Sequence, residues 1–168
     1  MLIDDFRDER LVSKLGQQWR PVSDEVMGGI SKVSLLSAVS DGERCLRLVG
    51  AVSLENNGGF IQASLDLAEP GEFLDASSHL GIQLCVQGNS EQYSVHLRTR
   101  DNQKPWESYR AHFVAGKEWS IVTMPFQDFV PHRTKMPLDA KCLRRVGIVA
   151  IGRPFQANVA VSNLMFYS

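Results

Sequence analysis

The chain has 168 residues, 43% of them hydrophobic, and its 18 lysines and arginines nearly balance 19 aspartates and glutamates. This length and composition suffice for a sizeable core, so we expect a single domain over residues 1–168. The near-zero net charge excludes a global electrostatic field that would attract nucleic acid or an anionic membrane.

The N-terminal residues and the cysteines indicate a reducing compartment. The segment MLIDDFRDER is acidic and lacks the cationic start and apolar centre of a secretory signal, and the sequence has no charge-free span of membrane-helix length. The three cysteines, Cys45, Cys85 and Cys142, are far apart and follow no paired metal-binding spacing. We therefore expect a cytoplasmic protein with no transmembrane segment, no disulfide framework and no zinc site.

Apolar residues recur with period two along almost the whole chain, whereas helical periodicity is nearly absent. One helical turn is predicted at Glu9–Lys14. The predicted strands begin, in chain order, near Ile3, Val33, Leu46, Ile61, Leu80, Tyr93, Tyr109, Trp119, Arg145 and Ala157. Many short strands without helical crossovers predict an all-β, two-sheet jelly-roll β-sandwich.

Three details of the strand pattern make further predictions. The turn residues Gly88-Asn89-Ser90 predict a hairpin-like connection between the strands on either side. The nearly continuous apolar runs Trp119–Phe126 and Arg145–Ile151 predict central strands. In the last strand the inward-facing phase shifts between Val161 and Leu164, which predicts a β-bulge at that point.

Two loops combine a carboxylate, adjacent glycines and a large apolar residue. They are WRPVSDEVMGGIS, with Asp24, and ENNGGF, with Glu55 and Asn57. The carboxylates suit a sugar hydroxyl, a hard cation or acid and base chemistry; alternatively they accept N–H groups of their own glycine turns. Asn57 suits a polyol or, alternatively, a left-handed turn. The glycine pairs lack the strand-to-helix context and lysine of a phosphate-binding loop.

The polar side of two predicted strands is rich in basic residues. If these strands are neighbours, one sheet presents either an ordinary solvated face or a groove for an anionic or polyhydroxylated partner. The residues that share this side are His96, Arg98 and Arg100 in YSVHLRTR, Ser108, Arg110 and His112 in ESYRAHF, and Gln83 and Gln87 in the preceding strand.

The aromatic residues divide into one free candidate and several packing residues. Trp106 follows a loop that contains a proline, where its ring suits stacking on a sugar or anchoring of a protein partner. Tyr109 falls in the apolar phase and is predicted in the core, and Trp19 and Trp119 are assigned to packing. Because no serine or cysteine lies in a nucleophile motif, we expect no catalytic residues, and we expect no metal or other cofactor.

The motifs VMGGIS, NNGGF, YSVHLRTR followed by WESYRAHF, and MPFQDF after Trp119 occur in this order. Together they resemble the complex I intermediate-associated protein 30 family, from Trp19 to the C-terminal LMFYS. The resemblance implies a galactose-binding-like jelly roll and a non-catalytic role. Mitochondrial members of that family assist assembly of the respiratory NADH:ubiquinone oxidoreductase, and plant relatives serve photosynthetic complexes. A chain of this length looks like a bacterial member.

We therefore expect a non-enzymatic assembly or scaffolding factor that binds a protein partner, such as a subunit or assembly intermediate of a respiratory complex. The alternative is a module that binds a carbohydrate or small polar ligand through the loops at one end of the sandwich. A third reading, an enzyme that uses Asp24 and Glu55, lacks a motif in its support. The candidate binding residues are Asp24, Glu55, Asn57, His96, Arg98, Arg100, Trp106 and Arg110.

Overall fold

A computed structural model describes residues 1–168 and contains no α-helix, which confirms the prediction of an all-β chain. Four short 3-10 helices span Asp24–Met27, Glu55–Asn57, Phe126–Asp128 and Ala140–Cys142. The strands are β1 (Leu2–Asp4), β2 (Arg20–Ser23), β3 (Ser34–Ser40), β4 (Glu43–Val52), β5 (Phe60–Asp66), β6 (Gly81–Gly88), β7 (Glu91–Thr99), β8 (Ser108–Ala115), β9 (Ser120–Pro125), β10 (Val130–His132), β11 (Leu143–Ile151) and β12 (Phe155–Tyr167). No helix is long and apolar enough to cross a lipid bilayer.

The strands form two antiparallel sheets. The first sheet has the order β3-β4-β12-β6-β9, with β1 paired to β12, and the second has the order β10-β8-β7-β11-β5-β2. Alternate residues of both sheets point inward and form one cluster of 33 buried hydrophobic residues. The two-sheet β-sandwich is therefore confirmed. The expectation of a single domain over residues 1–168 stays a prediction.

The segment Glu9–Lys14 forms no helical turn, so that prediction was wrong. Val12 makes an isolated antiparallel bridge with Gln18 instead. The indole of Trp19, directly after this bridge, is buried and donates from Nε1 to the buried carboxylate of Asp4 at 2.8 Å. The N-terminal segment is therefore shaped by contacts with buried side chains, because a short polar stretch has too little helix propensity to fold locally.

The turn Gly88-Asn89-Ser90 is not a hairpin, because β6 lies in the first sheet and β7 in the second. The N–H of Gly88 donates to the carbonyl of Gly116 at 2.7 Å, and the N–H of Ser90 donates to Ala115 at 2.7 Å, so the chain crosses between the sheets here. Consequently Gln83 and Gln87 do not share a face with His96. The sequence pattern shows which side of a strand is apolar but not which strand lies beside it.

Strand β9 is an edge strand, which corrects the prediction of a central position for Trp119–Phe126. Its apolar run includes Ile121, whose side chain points outward and is 69% exposed. By contrast β11 lies between β7 and β5, as predicted for Arg145–Ile151. The predicted bulge in β12 is also confirmed, since the register against β6 shifts between Val161 and Asn163.

The edges of the second sheet are two short strands that each contain a proline. Strand β2 has four residues and includes Pro21, whereas β10 has three residues and includes Pro131. Proline has no N–H group to donate to a neighbouring strand and is therefore confined to sheet edges. These strands end the second sheet on both sides.

The two glycine loops are joined by the carboxylate of Asp24, which is completely buried. Its Oδ1 accepts the N–H of Ser31 at 2.9 Å, and its Oδ2 accepts the N–H groups of Gly59 at 2.6 Å and Phe60 at 3.2 Å. The hydroxyl of Ser31 makes a fourth, short hydrogen bond to Oδ2. One side chain thus binds residues 24–31 to residues 54–60, and we refer to this unit as the double loop.

The glycines leave room for this carboxylate. A Cβ atom on Gly58 would lie 2.6 Å from Asp24 Oδ2, and one on Gly29 would overlap the same carboxylate. Both contacts are too close for any side chain, so one glycine of each pair is required by the approach of the backbone to Asp24. The double loop is therefore a packed joint and not an open anion-binding nest.

Replacing Asp24 with alanine should destabilise the fold strongly. The variant leaves the buried N–H groups of Ser31 and Gly59 without an acceptor, and we expect a loss of about 3 kcal/mol in the free energy of unfolding. Urea unfolding followed by circular dichroism measures this value. The matched control Glu55→Ala removes an exposed carboxylate from the same unit and should change stability by less than about 0.5 kcal/mol. Equal effects of the two substitutions would contradict the structural role of Asp24.

The stability of the protein should also depend on the ionisation of Asp24. Burial raises the pKa of this carboxyl, but the hydrogen bonds from Gly59, Ser31 and Phe60 outweigh burial and hold the pKa below its usual value. Such a group contributes stability that is fully present above its unfolded pKa of about 3.9 and is lost as the pH falls through its folded pKa.

We therefore expect the stability difference between the native protein and Asp24→Asn to narrow as the pH falls below about 4. Urea midpoints measured from neutral to acidic pH test this expectation. The other carboxyls with lowered pKa values, Asp8, Asp75 and Asp139, are present in both proteins and cancel in the comparison. If the stability difference between the native protein and Asp24→Asn stays constant with pH, the charge of Asp24 contributes nothing to stability.

Candidate functional site

The candidate residues chosen from the sequence lie at opposite ends of the second sheet. Strand β5 starts at Phe60, beside the double loop, and ends at Asp66, which is opposite Arg145. Arg145 is in turn opposite Arg98 on β7. A strand rises about 3.3 Å per residue, so about 20 Å separates the double loop from the Arg98 end. Asp24, Glu55 and Asn57 therefore do not converge with Arg98 and Arg100.

Within the double loop, Asp24 and Glu55 have different environments. All the hydrogen bonds of the Asp24 carboxylate are internal, and the side chain does not reach the surface. Glu55 and Asn57 are exposed, and their side chains make no hydrogen bond within the protein. Asn57 has a φ of 61°, which is the left-handed conformation that asparagine tolerates in turns. The two carboxylates do not face each other across an open cleft.

The double loop exposes a group of apolar side chains next to its exposed polar residues Glu55 and Asn57. Four side chains, which we name the apolar tip, are between 42% and 75% exposed: Val26, Met27, Ile30 and Leu54. Ser31 Oγ accepts the N–H of Ser53 at 2.8 Å, so Ile30 and Leu54 lie on neighbouring segments. The sequence-based selection of candidates missed this cluster because it considered the carboxylates and glycines of the loops. The motif VMGGI nevertheless contains three of the four members, Val26, Met27 and Ile30.

Three of the remaining candidate residues, His96, Arg98 and Arg110, lie on the outer face of the second sheet. On this face, His96 of β7 is directly opposite Arg110 of β8, and Arg110 is opposite Val130 of β10. In the next row, Ser108 of β8 is opposite His132 of β10. We name the surface formed by these residues and Arg98 the polar face; its polar members are His96, Arg98, Ser108, Arg110 and His132.

Electrostatic repulsion is pronounced on the polar face. Burial, followed by the positive charge of Arg110 and the neighbouring histidines, holds the pKa of His96 well below its usual value. Burial and other arginines also lower the pKa of Arg98 and of Arg110. Neither arginine forms an ion pair with a carboxylate. The guanidinium groups of Arg98 and Arg110 are thus not compensated by a carboxylate in direct contact.

The side chains of the polar face are held by neutral acceptors. Arg98 Nη2 donates to the carbonyl oxygens of Lys104 at 3.0 Å and Asn102 at 3.5 Å, whereas its Nε is buried and has no partner. Arg110 Nε donates to Ser108 Oγ at 2.9 Å. A ring nitrogen of His96 lies 2.9 Å from Ser94 Oγ. These contacts position the guanidinium groups but do not neutralise their charge.

Arg100 and Trp106 lie on the β7–β8 connection, beside the polar face. Arg100 is exposed and its guanidinium lies 4.0 Å from the Asp139 carboxylate. Trp106 is 53% exposed, and the ammonium of Lys104 lies 5.4 Å from its ring centroid. Tyr109, two residues before the inward-facing Ala111, is fully buried, as its apolar phase predicts. Trp106 is therefore the aromatic ring available to a ligand in this region.

One trio of metal-ligating residue types, Asp101, Asp139 and Cys142, has ligand atoms within 4.8 Å of one another. Burial and the nearby Asp139 raise the pKa of the Cys142 thiol, which disfavours the thiolate that binds a metal. Arg100 beside Asp139 adds a positive charge. The chemistry of this trio does not favour a bound cation.

Carbohydrate-binding modules are among the solved structures that share this fold. The family 11 module of a cellulosomal cellulase of Clostridium thermocellum superimposes with a TM-score of 0.73 and 14% identity, covering 100% of this chain and 94% of that one. The same module in complex with a β-1,3-1,4-mixed-linked tetrasaccharide gives a TM-score of 0.72 and 13% identity, with 99% and 94% covered. A family 30 module of a Clostridium thermocellum cellulase gives 0.68 and 13%, with 99% and 98% covered. These similarities confirm the predicted jelly-roll sandwich.

The match to one family model covers most of the chain and shows its family. A search of curated proteins found none that matches this sequence. The family model described as complex I intermediate-associated protein 30 matches residues 5–159, which include both loops and the strands β2 to β11. The chain belongs to the complex I intermediate-associated protein 30 family.

Proposed function

We propose that this protein is a non-enzymatic assembly factor of the cytoplasm that binds a protein partner through the double loop. The family description points to a subunit or assembly intermediate of respiratory complex I as the partner. The observation that carries the proposal is the apolar tip, which is exposed on a unit held by buried hydrogen bonds.

Exposed apolar side chains that cluster on one unit are characteristic of protein-binding surfaces. Burying a side chain such as Val26 or Met27 against a partner contributes about 1.5–3 kcal/mol. The hydrogen bonds of Asp24 fix the backbone beneath these residues, so that less conformational entropy is lost when a partner binds. The rigid joint thus explains how a short loop serves as a recognition element.

The environment of the carboxylates supports a non-enzymatic role. An acid–base pair needs two groups within reach of one substrate, and the Asp24 oxygens are occupied by Ser31, Gly59 and Phe60. Glu55 is exposed and has no neighbouring base in hydrogen-bond contact. On the polar face, Ser94 Oγ lies 2.9 Å from a ring nitrogen of His96, but Ser94 is fully buried and does not reach the surface where a substrate would bind.

A strain that lacks this protein should regain assembled complex I with the native chain but not with Val26→Ser/Met27→Ser. The double substitution removes apolar area from the surface and leaves the Asp24 hydrogen bonds intact, so binding should fall while folding is retained. We expect at least a tenfold loss of partner affinity, since about 1.4 kcal/mol corresponds to a factor of ten. Native gel electrophoresis of solubilised membranes measures the assembled complex.

The matched control is Ile121→Ser, which removes an equally exposed apolar side chain from the edge of the first sheet. This variant should restore assembly as well as the native chain does. Full restoration by Val26→Ser/Met27→Ser would exclude the apolar tip as the docking surface. Normal complex I in the deletion strain itself would exclude the assembly role.

Binding of a carbohydrate is the second candidate function. It is favoured by the likeness of the fold to a module in complex with a mixed-linked tetrasaccharide. In this chain the exposed ring of Trp106, beside the donors of the polar face, is the position where a sugar would stack. The double loop offers no such position, because Asp24 fills the space between its two segments.

If the protein is an assembly factor and does not bind sugar, a calorimetric titration with β-1,3-1,4-mixed-linked tetrasaccharide should show no saturable heat of binding. Binding that is present in the native protein and lost in Trp106→Ala would instead establish the carbohydrate function. Trp19 is not a suitable control because it is buried, so Phe73→Ala, which also removes an exposed ring, serves as the comparison.

A further inference from the structure

Ser108 lies at the centre of a group of long basic side chains on the polar face. His132 of β10 is directly opposite it, and Arg110 follows two residues later on the same side of β8. The register that pairs Leu97 with Tyr109 brings Arg98 of β7 to the other side of Ser108. His96 completes the group, because it is opposite Arg110.

The residue at the centre of this group, Ser108, has a shorter side chain than the residues around it. Ser108 has a short side chain, is 5% exposed, and accepts a hydrogen bond from Arg110 Nε at 2.9 Å. The four basic residues around it have long side chains that are half-buried. We name the five residues His96, Arg98, Ser108, Arg110 and His132 the basic basket, with Ser108 as its floor.

The charge of the basic basket is not compensated by the protein. No carboxylate pairs with Arg98 or Arg110, and Arg133 adds positive charge beside Arg110. Glu107 adds negative charge near Arg98, but its carboxylate accepts the N–H of Lys104 at 2.9 Å and is not paired with Arg98. Asp66, on the same face, is paired with Arg145 at 2.7 Å and Arg20 at 3.3 Å.

Arg98 also has an unused donor at this position. Its Nε is buried without a hydrogen-bond partner, which is unfavourable for a polar donor. Nη1 of Arg98 makes no hydrogen bond within the protein and is the guanidinium nitrogen available to an oxygen atom of a bound anion. Because the histidines do not belong to any trio of ligand atoms within 4.8 Å, the geometry favours an anion over a metal ion.

We propose that the basic basket binds the phosphate group of a small phosphomonoester. Two permanent guanidinium charges match a group that carries between one and two negative charges at neutral pH. Donors that surround a floor from several sides suit a tetrahedral group, whereas a carboxylate is planar and is satisfied by one guanidinium fork. The site lies on β7, β8 and β10, away from the double loop beside β2 and β5, and is independent of the protein-docking proposal.

Titration of the isotopically labelled protein with inorganic phosphate, followed by two-dimensional NMR, tests this assignment. Sodium chloride keeps the ionic strength constant, and acetate is titrated in parallel. We expect saturable shifts at the amides of Ser108, Arg98 and His132, with acetate binding more weakly. Arg110→Gln should weaken phosphate binding at least tenfold, because it removes a charged hydrogen-bond donor.

The controls separate a specific site from general attraction to arginines. Arg7→Gln, which removes an exposed arginine outside the polar face, should bind phosphate as the native protein does. Val26→Ser/Met27→Ser should also bind normally, so failure of the docking proposal leaves this result unaffected. Unchanged amide shifts in the first sheet establish that Arg110→Gln is folded, and Arg98→Gln provides a second variant.

Three results would overturn the proposal. The first is the absence of saturable shifts at the basic basket. The second is equal phosphate affinity in the native protein, Arg98→Gln and Arg110→Gln. The third is acetate binding at the same amides as tightly as phosphate, which would identify a general carboxylate surface instead.

Discussion

The burial of one carboxylate, that of Asp24, is the constraint on which the double loop depends. Each loop contains only one short 3-10 helix, and no backbone hydrogen bond outside the strands joins residues 24–31 to residues 54–60. The two oxygens of Asp24 accept donors from both segments, so a single side chain replaces a ladder of backbone hydrogen bonds. Gly29 and Gly58 both pack against this carboxylate, so one glycine from each loop contacts the same side chain.

The protein carries two surfaces of different chemistry at the two ends of the second sheet, one beside the start of β5 and the other on β7, β8 and β10. At the end with the double loop, apolar side chains are displayed on a rigid base, which favours contact with another apolar surface. At the other end, cationic side chains surround a buried serine, which favours contact with an anion. The sandwich keeps them apart because β5 is hydrogen-bonded along its length to β11 and β2 and cannot bend sharply between them.

Features that depend on neighbouring residues were predictable from the sequence, and features that depend on distant contacts were not. The inward phase of β7 and β8 placed His96, Arg98 and Arg110 on the polar side of their strands, because alternation is a local property. The assignment of β6 to the other sheet depends on the pairing of Gly88 with Gly116, which no periodicity encodes. Likewise, β10 has three residues, too few for a recognisable alternation, so the position of His132 beside Ser108 required the structure.

The prolines at both edges of the second sheet limit how this protein associates with others. A partner that adds a β-strand to an exposed sheet edge needs N–H groups along that edge, and Pro21 and Pro131 interrupt them on short strands. Growth of the second sheet by strand addition, whether by another protein or by a second copy, is therefore disfavoured. A partner at this sheet has to recognise side chains and loops, and the second sheet is thereby protected against edge-to-edge polymerisation without a covering helix.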